Sequence, residues 1–87
     1  MRVTFTPRGW ADYLHWQQDA AMLTRLNTLI RECQRAPFAG IGKPEPLKAE
    51  YRGWWSRRIT VEHRLVYRVT GQPGDQQLEI SQCRHHY

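Results

Sequence analysis

Cysteine is scarce: Cys33 and Cys83 are the only two in 87 residues. They stand far apart, each in an apolar setting, so the chain is not a disulfide scaffold and both are read as reduced core residues. Paired Cys-x-x-Cys and His-x-x-x-His spacings are missing, which removes the common zinc frameworks even though Cys83, His85 and His86 are close in sequence and His63 could join them. The eight acidic residues are scattered, leaving no carboxylate cluster for magnesium. No glycine-rich loop opens a helix and no Gly-x-Ser-x-Gly elbow occurs, so phosphate-loop nucleotide binding and acyl transfer lack support. No apolar run is long enough to span a bilayer, and Met1-Arg2-Val3 is expected to open directly into structure, with no charged-then-apolar signal segment read there. A cytoplasmic location away from membranes is the resulting expectation. An enzyme built from these residues is expected to work without metal or cofactor.

Positive charge is present in quantity. Thirteen Lys plus Arg oppose eight Asp plus Glu, a net charge of +5, and only Lys43 and Lys48 are lysines. The planar fork of arginine suits bidentate phosphate contacts, so a polyanionic partner such as nucleic acid is favoured over a small neutral ligand. On charge alone a merely solubilising surface fits equally well. At this length the chain is read as one domain, residues 1–87, with a single modest core.

Val3 and Phe5 alternate with Arg2, Thr4 and Thr6, the period of a short strand. Thr6-Pro7 reads as N-cap and first helical residue. The first helix is expected over about residues 7–18, with Trp10, Tyr13, Leu14 and Gln17 on one stripe and Trp10 and Leu14 packed in the core. Tyr13, His15 and Trp16 are candidates to meet a partner. Asp19 caps a second helix expected to end near Arg35, ahead of Pro37, with Met22, Leu26, Leu29, Ile30 and Cys33 inward and Arg25, Glu32 and Arg35 outward. Arg25, Arg31 and Arg35 read first as a solvated face and second as a contact for ribosomal RNA. Residues 36–46 are rich in Pro and Gly and read as a loop in which Pro44 and Pro46 hold the backbone either side of Glu45.

Two strands follow. In the first, Trp55, Arg57, Ile59 and Val61 share a face opposite Trp54, Ser56, Arg58 and Thr60; a turn near Glu62-His63 leads to the second, residues 64–69. Gly71-Gln72-Pro73-Gly74-Asp75 reads as a hairpin turn before a last strand containing Leu78, Ile80 and Gln82. Trp54 and Trp55 fit core and interface better than base stacking. The fold class is α+β, in the order β-α-α-β-β-β, with two N-terminal helices on one face of a mostly antiparallel twisted sheet.

Metal-free chemistry on RNA needs a base to deprotonate a 2′-hydroxyl, an acid to protonate the 5′-oxygen leaving group, and a cation to stabilise the phosphorane between them. Glu45 could be the base, a histidine of the tail the acid and Arg64 the cation. From the residues alone this is one assignment among several. A solvated loop glutamate, an Arg64 paired with Glu62 or Glu79, and a frayed His86 are the plainer readings.

The motifs Lys43-Pro44-Glu45-Pro46-Leu47-Lys48, Trp55-Ser56-Arg57-Arg58-Ile59-Thr60, Glu62-His63-Arg64-Leu65-Val66-Tyr67 and His86-Tyr87 resemble the YoeB (Txe) family of the RelE superfamily. The likeness extends over the chain, including Trp10, Tyr13-Leu14, Trp16-Gln17 and Arg35-Ala36-Pro37-Phe38. Members are ribosome-dependent mRNA endonuclease toxins of type II toxin–antitoxin systems. The resemblance implies Glu45 as general base, Arg64 as phosphate stabiliser, His86 as general acid and Tyr87 as substrate-orienting. It implies Lys48 and Arg58 as holders of the RNA backbone, Glu62 as a carboxylate that orients the site, and His85 in the substrate-binding set where the family often has Tyr. It further implies cleavage of mRNA in the ribosomal A site with a 2′,3′-cyclic phosphate product, a homodimer, a YefM-type antitoxin, and contact with promoter DNA only through the antitoxin complex. A C-terminal tag is accordingly expected to impair the site more than an N-terminal one. The competing readings are a toxin of related fold that poisons a target such as DNA gyrase without chemistry, and a plain RNA-binding module.

Overall fold

The computed structural model describes residues 1–86. Strand β1 (Arg2–Phe5) is followed by helix α1 (Pro7–His15), a 3-10 turn (Trp16–Gln18) and helix α2 (Ala20–Arg35). Four strands then complete the sheet: β2 (Glu45–Pro46), β3 (Trp55–Arg58), β4 (Arg64–Gln72) and β5 (Asp75–Gln82). The strand order is β1-β5-β4-β3-β2, with β1 parallel to β5 and the other pairs antiparallel. Among the described residues, no helix is long and apolar enough to cross a membrane.

Both helix starts follow the capping logic of the sequence. The Thr6 hydroxyl accepts the Gly9 N–H at 3.0 Å and lies 3.0 Å from the Ser81 carbonyl, to which it donates. Asp19 accepts the Met22 N–H at 3.1 Å. On α2, Leu26, Leu29, Ile30 and Cys33 are buried as expected, against Leu65, Tyr67, Leu78 and Ile80 of the sheet. Both cysteines are free and buried. Arg25 leaves the expected solvated face and reaches the carbonyls of Ile59 and Arg58 at 3.4 Å.

The first helix departs from expectation in two ways. It tightens into a 3-10 turn after His15, and Trp10 and Leu14 are 48% and 47% exposed. The face turned to the sheet is instead Gly9 and Asp12, continued by Trp16. A Cβ on Gly9 would sit 2.4 Å from the Ile80 carbonyl oxygen, so the absence of a side chain lets α1 touch the β5 backbone and turns the large residues toward the rim. There Trp10 and Tyr13 stack at 5.9 Å beside Phe5.

The sheet also differs from the expected three strands after the helices, because Glu45 and Pro46 add an edge to it, with Glu45 opposite Ser56 and Pro46 opposite Trp55. Strand β3 stops at Arg58, and the turn starts at Ile59, where the Ile59 and Thr60 N–H groups both donate to the His63 carbonyl. The Thr60 hydroxyl accepts the N–H groups of Glu62 and His63 at 3.2 Å, leaving Val61 83% exposed and off the face it shared by alternation. The hairpin between β4 and β5 closes at Pro73-Gly74, between Gln72 and Asp75, as its composition predicts. A register shift at Val66/Tyr67 pairs Val66 with Gln82 but Tyr67 with Ile80, so Ser81 is the extra residue of a β-bulge where β5 runs into the tail.

Residues 36–44 are held to the sheet by Arg57, whose side chain is fully buried. Its guanidinium donates to the carbonyls of Ala36, Ala39 (2.9 Å) and Ile41 (3.1 Å) and to the Tyr67 hydroxyl (3.1 Å). The Tyr67 hydroxyl in turn donates to the Pro37 carbonyl at 2.6 Å. Gly42 closes the strap: its carbonyl accepts the Arg58 N–H at 2.7 Å, and a Cβ there would lie 2.9 Å from Leu29. Arg57 is thus a fastener for loop carbonyls that no strand pairs, not an anion ligand.

Candidate active site

Pairing register sets which side chains share the face of the sheet opposite the helices. Glu45 opposes Ser56, Ser56 opposes Val66 and Val66 opposes Gln82, which forms a row across four strands. Two residues further along, Arg58 opposes Arg64. Alternation puts Glu45, Ser56, Arg58, Arg64 and Val66 on one face, while Trp55, Arg57, Leu65 and Tyr67 face the helices. Glu45 and Arg64 are two strand spacings apart, about 10 Å across the sheet, and one side-chain repeat apart, about 7 Å along it. Their side chains can meet a phosphodiester placed between them. Beneath that space Ser56 and Val66 are buried and Glu45 and Arg58 are exposed.

Arg64 is aimed by the turn before it. Its Nη1 donates to the carbonyls of Thr60 (2.7 Å), Val61 (3.0 Å) and His63 (3.2 Å), and it pairs with neither Glu62 nor Glu79. Glu79 is held instead by Arg68 at 2.7 Å, whose guanidinium also lies 4.3 Å over the Trp54 ring. With Nη1 committed to the turn, the Nε and Nη2 edge of Arg64 is the one left for an anion among the described residues.

The tail reaches this face through two successive anchors. Cys83 is gripped by the first helical segment: its N–H donates to Asp12 at 3.1 Å, and its carbonyl accepts from the Trp16 indole at 2.8 Å. Two residues on, the His85 N–H donates to Nδ1 of His63 at 2.8 Å and its carbonyl accepts the Arg64 N–H at 3.1 Å. His85 has a φ of +66°, a left-handed conformation that a residue with a Cβ keeps only where its surroundings fix it, as the hydrogen bonds on both sides of its Cα do. His86 follows in the chain and is exposed.

A family model for YoeB-like toxins of bacterial type II toxin–antitoxin systems matches residues 5–87. The chain belongs to this family. It is similar to Toxin YoeB of Streptomyces coelicolor, with 53% identity over 88 aligned positions covering all of both chains. Its structure is similar to that of a YoeB/ParE toxin from Agrobacterium tumefaciens, at 56% identity, a TM-score of 0.95 and full coverage of both chains. It is also similar to the toxin in a heterotetrameric YoeB-YefM toxin–antitoxin complex from Staphylococcus aureus, at 40% identity and a TM-score of 0.87, covering 100% of this chain and 98% of that one.

Among the sequence-predicted site residues of this YoeB-like toxin, the fold gathers Glu45, Arg58 and Arg64 on one face and ties the His85 carbonyl to the Arg64 N–H, with His86 the next residue along the chain. Lys48 is exposed just past β2, where its carbonyl opens the 3-10 turn Ala49–Tyr51. Glu62 is not on that face; it lines a surface depression with Trp16, Asp19, Met22 and Val61. Tyr87 lies outside the described residues. Among these residues, no group of three or more His, Cys, Asp or Glu is placed to hold a metal ion.

Sequence reasoning missed Asp12 and Arg57, and weighed His63 only as a possible metal ligand beside Cys83, His85 and His86. His63 packs edge-on against Trp16 at 4.8 Å and lies 5.6 Å from the His85 ring. Its pKa is lowered below 6.5, first by burial and then by the positive charges of His85, Arg84 and His15, against Glu62, which raises it. The neutral ring that results is the form whose Nδ1 can accept the His85 N–H. Nothing local marks these residues, because each partner is distant in the chain. Arg57 alone carried a signal, an arginine on the strand face shared with Trp55 and Ile59.

Proposed function

We propose that this toxin cleaves mRNA in the ribosomal A site by metal-free acid–base catalysis. The observation that supports the reading is a carboxylate, Glu45, and a guanidinium edge, Arg64, on one sheet face, with a histidine-bearing tail hydrogen-bonded to the Arg64 backbone. Glu45 removes the proton of the 2′-hydroxyl; the 2′-oxygen attacks the adjacent phosphorus and the bond to the 5′-oxygen breaks. The Arg64 fork stabilises the charge of the phosphorane. His86 gives its proton to the departing 5′-oxygen, leaving a 2′,3′-cyclic phosphate and a 5′-hydroxyl. Arg58 and Lys48 hold the RNA backbone, His85 assists from the tail and Tyr87 orients the substrate, while Glu62, away from that face, is left without a part in the chemistry. DNA, without the 2′-hydroxyl, is not cut.

The similarity to a toxin found in complex with YefM supports a YefM-type antitoxin as partner. Cleavage of a defined mRNA on programmed ribosomes tests the reading. The intact chain is expected to yield a cyclic phosphate end, and Glu45→Gln to lower the rate by about 10²- to 10⁴-fold while ribosome binding persists. Intact mRNA under arrested translation would reject the nuclease in favour of a toxin that acts by binding alone, as gyrase poisons do.

A further inference from the structure

A tail that delivers an acid must be stationed as well as present, and the contacts that station this one converge on a residue to which no role has been given. Resting on the nuclease reading above, we propose that His63 is the positioning residue for the C-terminal segment: its unprotonated Nδ1 holds the His85 N–H and thereby sets where His86 stands relative to Arg64. The geometry is closed. His63 leads directly into Arg64, its carbonyl takes part of the Arg64 guanidinium, and its ring takes the backbone of the tail. The Arg64 N–H returns a hydrogen bond to the same tail residue. One short stretch therefore fixes both the cationic fork and the arm that carries the acid. The ring is itself aimed by Trp16, whose indole N–H is tied to the Cys83 carbonyl at the start of the same arm.

The clasp has a protonation state. Nδ1 accepts only while it carries no proton; a protonated His63 presents a second N–H toward the His85 N–H and repels it. The groups facing the ring are Glu62 and Thr60 on its own turn, His85 and Arg84 on the tail, His15 at the end of α1, Trp16, and Asp19 at the head of α2. The three cationic or titrating groups His85, Arg84 and His15 oppose protonation while Glu62 favours it, and burial adds to the opposition. The clasp is accordingly closed at neutral pH and opens as the pH falls below the ordinary histidine range, toward the lowered value of His63.

The test reads the tail first, on the whole toxin without ribosomes. The His85 amide in an NMR titration is expected to shift with the protonation of His63 and to lose exchange protection below that midpoint. His63→Phe keeps a ring against Trp16 but removes the acceptor; His63→Asn keeps a side-chain oxygen that does not titrate. The Phe variant is expected to lose His85 amide protection and to cleave programmed mRNA about 10- to 100-fold more slowly, with ribosome binding little changed. The Asn variant restores both, and its cleavage profile lacks the acid-side fall contributed by His63. A His85 amide indifferent to pH and to both variants overturns the clasp. Equal cleavage by wild type and the Phe variant overturns the positioning role even with the amide released. If wild type does not cleave at all, the nuclease reading fails, while the amide titration still decides the clasp.

Discussion

Replacing Arg57 with methionine, which has similar reach but no donors, tests whether the strap before Glu45 depends on one buried guanidinium. Four hydrogen bonds are lost: to the carbonyls of Ala36, Ala39 and Ile41 and to the Tyr67 hydroxyl. A hydrogen bond from a charged donor contributes about 1.5–3 kcal/mol. The gross loss is offset by relief from burying a cation that is otherwise unpaired and by water reaching the loop carbonyls, which are only partly buried. A net cost of about 3–5 kcal/mol is expected, a large share of the ~5–15 kcal/mol that holds a protein of this size. For 87 residues each kcal/mol moves Tm by about 4–8 °C, so a fall of roughly 12–40 °C follows. Arg57→Lys keeps the charge but cannot span carbonyls spread over residues 36–41, and is expected to cost nearly as much. Thermal melts and urea titration read the stability, and limited proteolysis within residues 36–46 reads the strap. A Met variant that melts within about 5 °C of wild type with an equally resistant loop would refute the reasoning, since it would mean the carbonyls are satisfied without the guanidinium.

Two further changes probe the packing beneath the site. Gly9→Ala is stabilising by about 0.5–1 kcal/mol on helix propensity, yet the Cβ would meet the Ile80 carbonyl oxygen at 2.4 Å. A loss of about 1–3 kcal/mol in urea titration is expected, and a gain would mean that α1 does not rest on the β5 backbone. Burial pushes the thiols of Cys33 and Cys83 up to about 11 and about 12, and the Tyr67 hydroxyl up to about 12. Alkylation of the native protein at pH 8 is therefore expected to be slow, becoming fast on unfolding. All three groups keep their protons longer when folded, so above pH 9, where unfolded thiols begin to ionise, the folded state binds more protons and stability falls as pH rises toward 12. A stability curve flat from pH 8 to 11 contradicts that burial.

Local chemistry made much of the fold legible. Thr6-Pro7 and Asp19 mark the helix starts because capping is settled within a few residues, and Pro37 marks the exit of α2 because the residue before proline leaves the helical region. What depended on distance was hidden. The sizes of Trp10 and Leu14 suggested a buried stripe, but the approach of α1 was decided by the absent side chain of Gly9 against a β5 residue far along the chain. A strand of two residues, one of them proline, has no periodicity to read, so Glu45 looked like a loop residue until its pairing with Ser56 gave it a face. The alternation of the two strands placed Arg58 and Arg64 on successive strands either side of the Glu62-His63 turn, and only the register makes them direct cross-strand partners. Neither the His63 clasp nor the Asp12 grip on Cys83 has any local trace, because each joins parts of the chain that meet only once the sheet has formed.

The parallel pairing of β1 with β5 has a consequence for the order of synthesis. Arg2 finds its partner in Gln77 and Phe5 in Ile80, so β1 waits, with the helices it leads into, for β5 to be made. Long-range pairing of this kind forms late in folding. Glu45 and Arg64 are translated well before the segment that bears His86, and the anchors of that segment, Asp12, Trp16 and His63, have nothing to hold until it emerges.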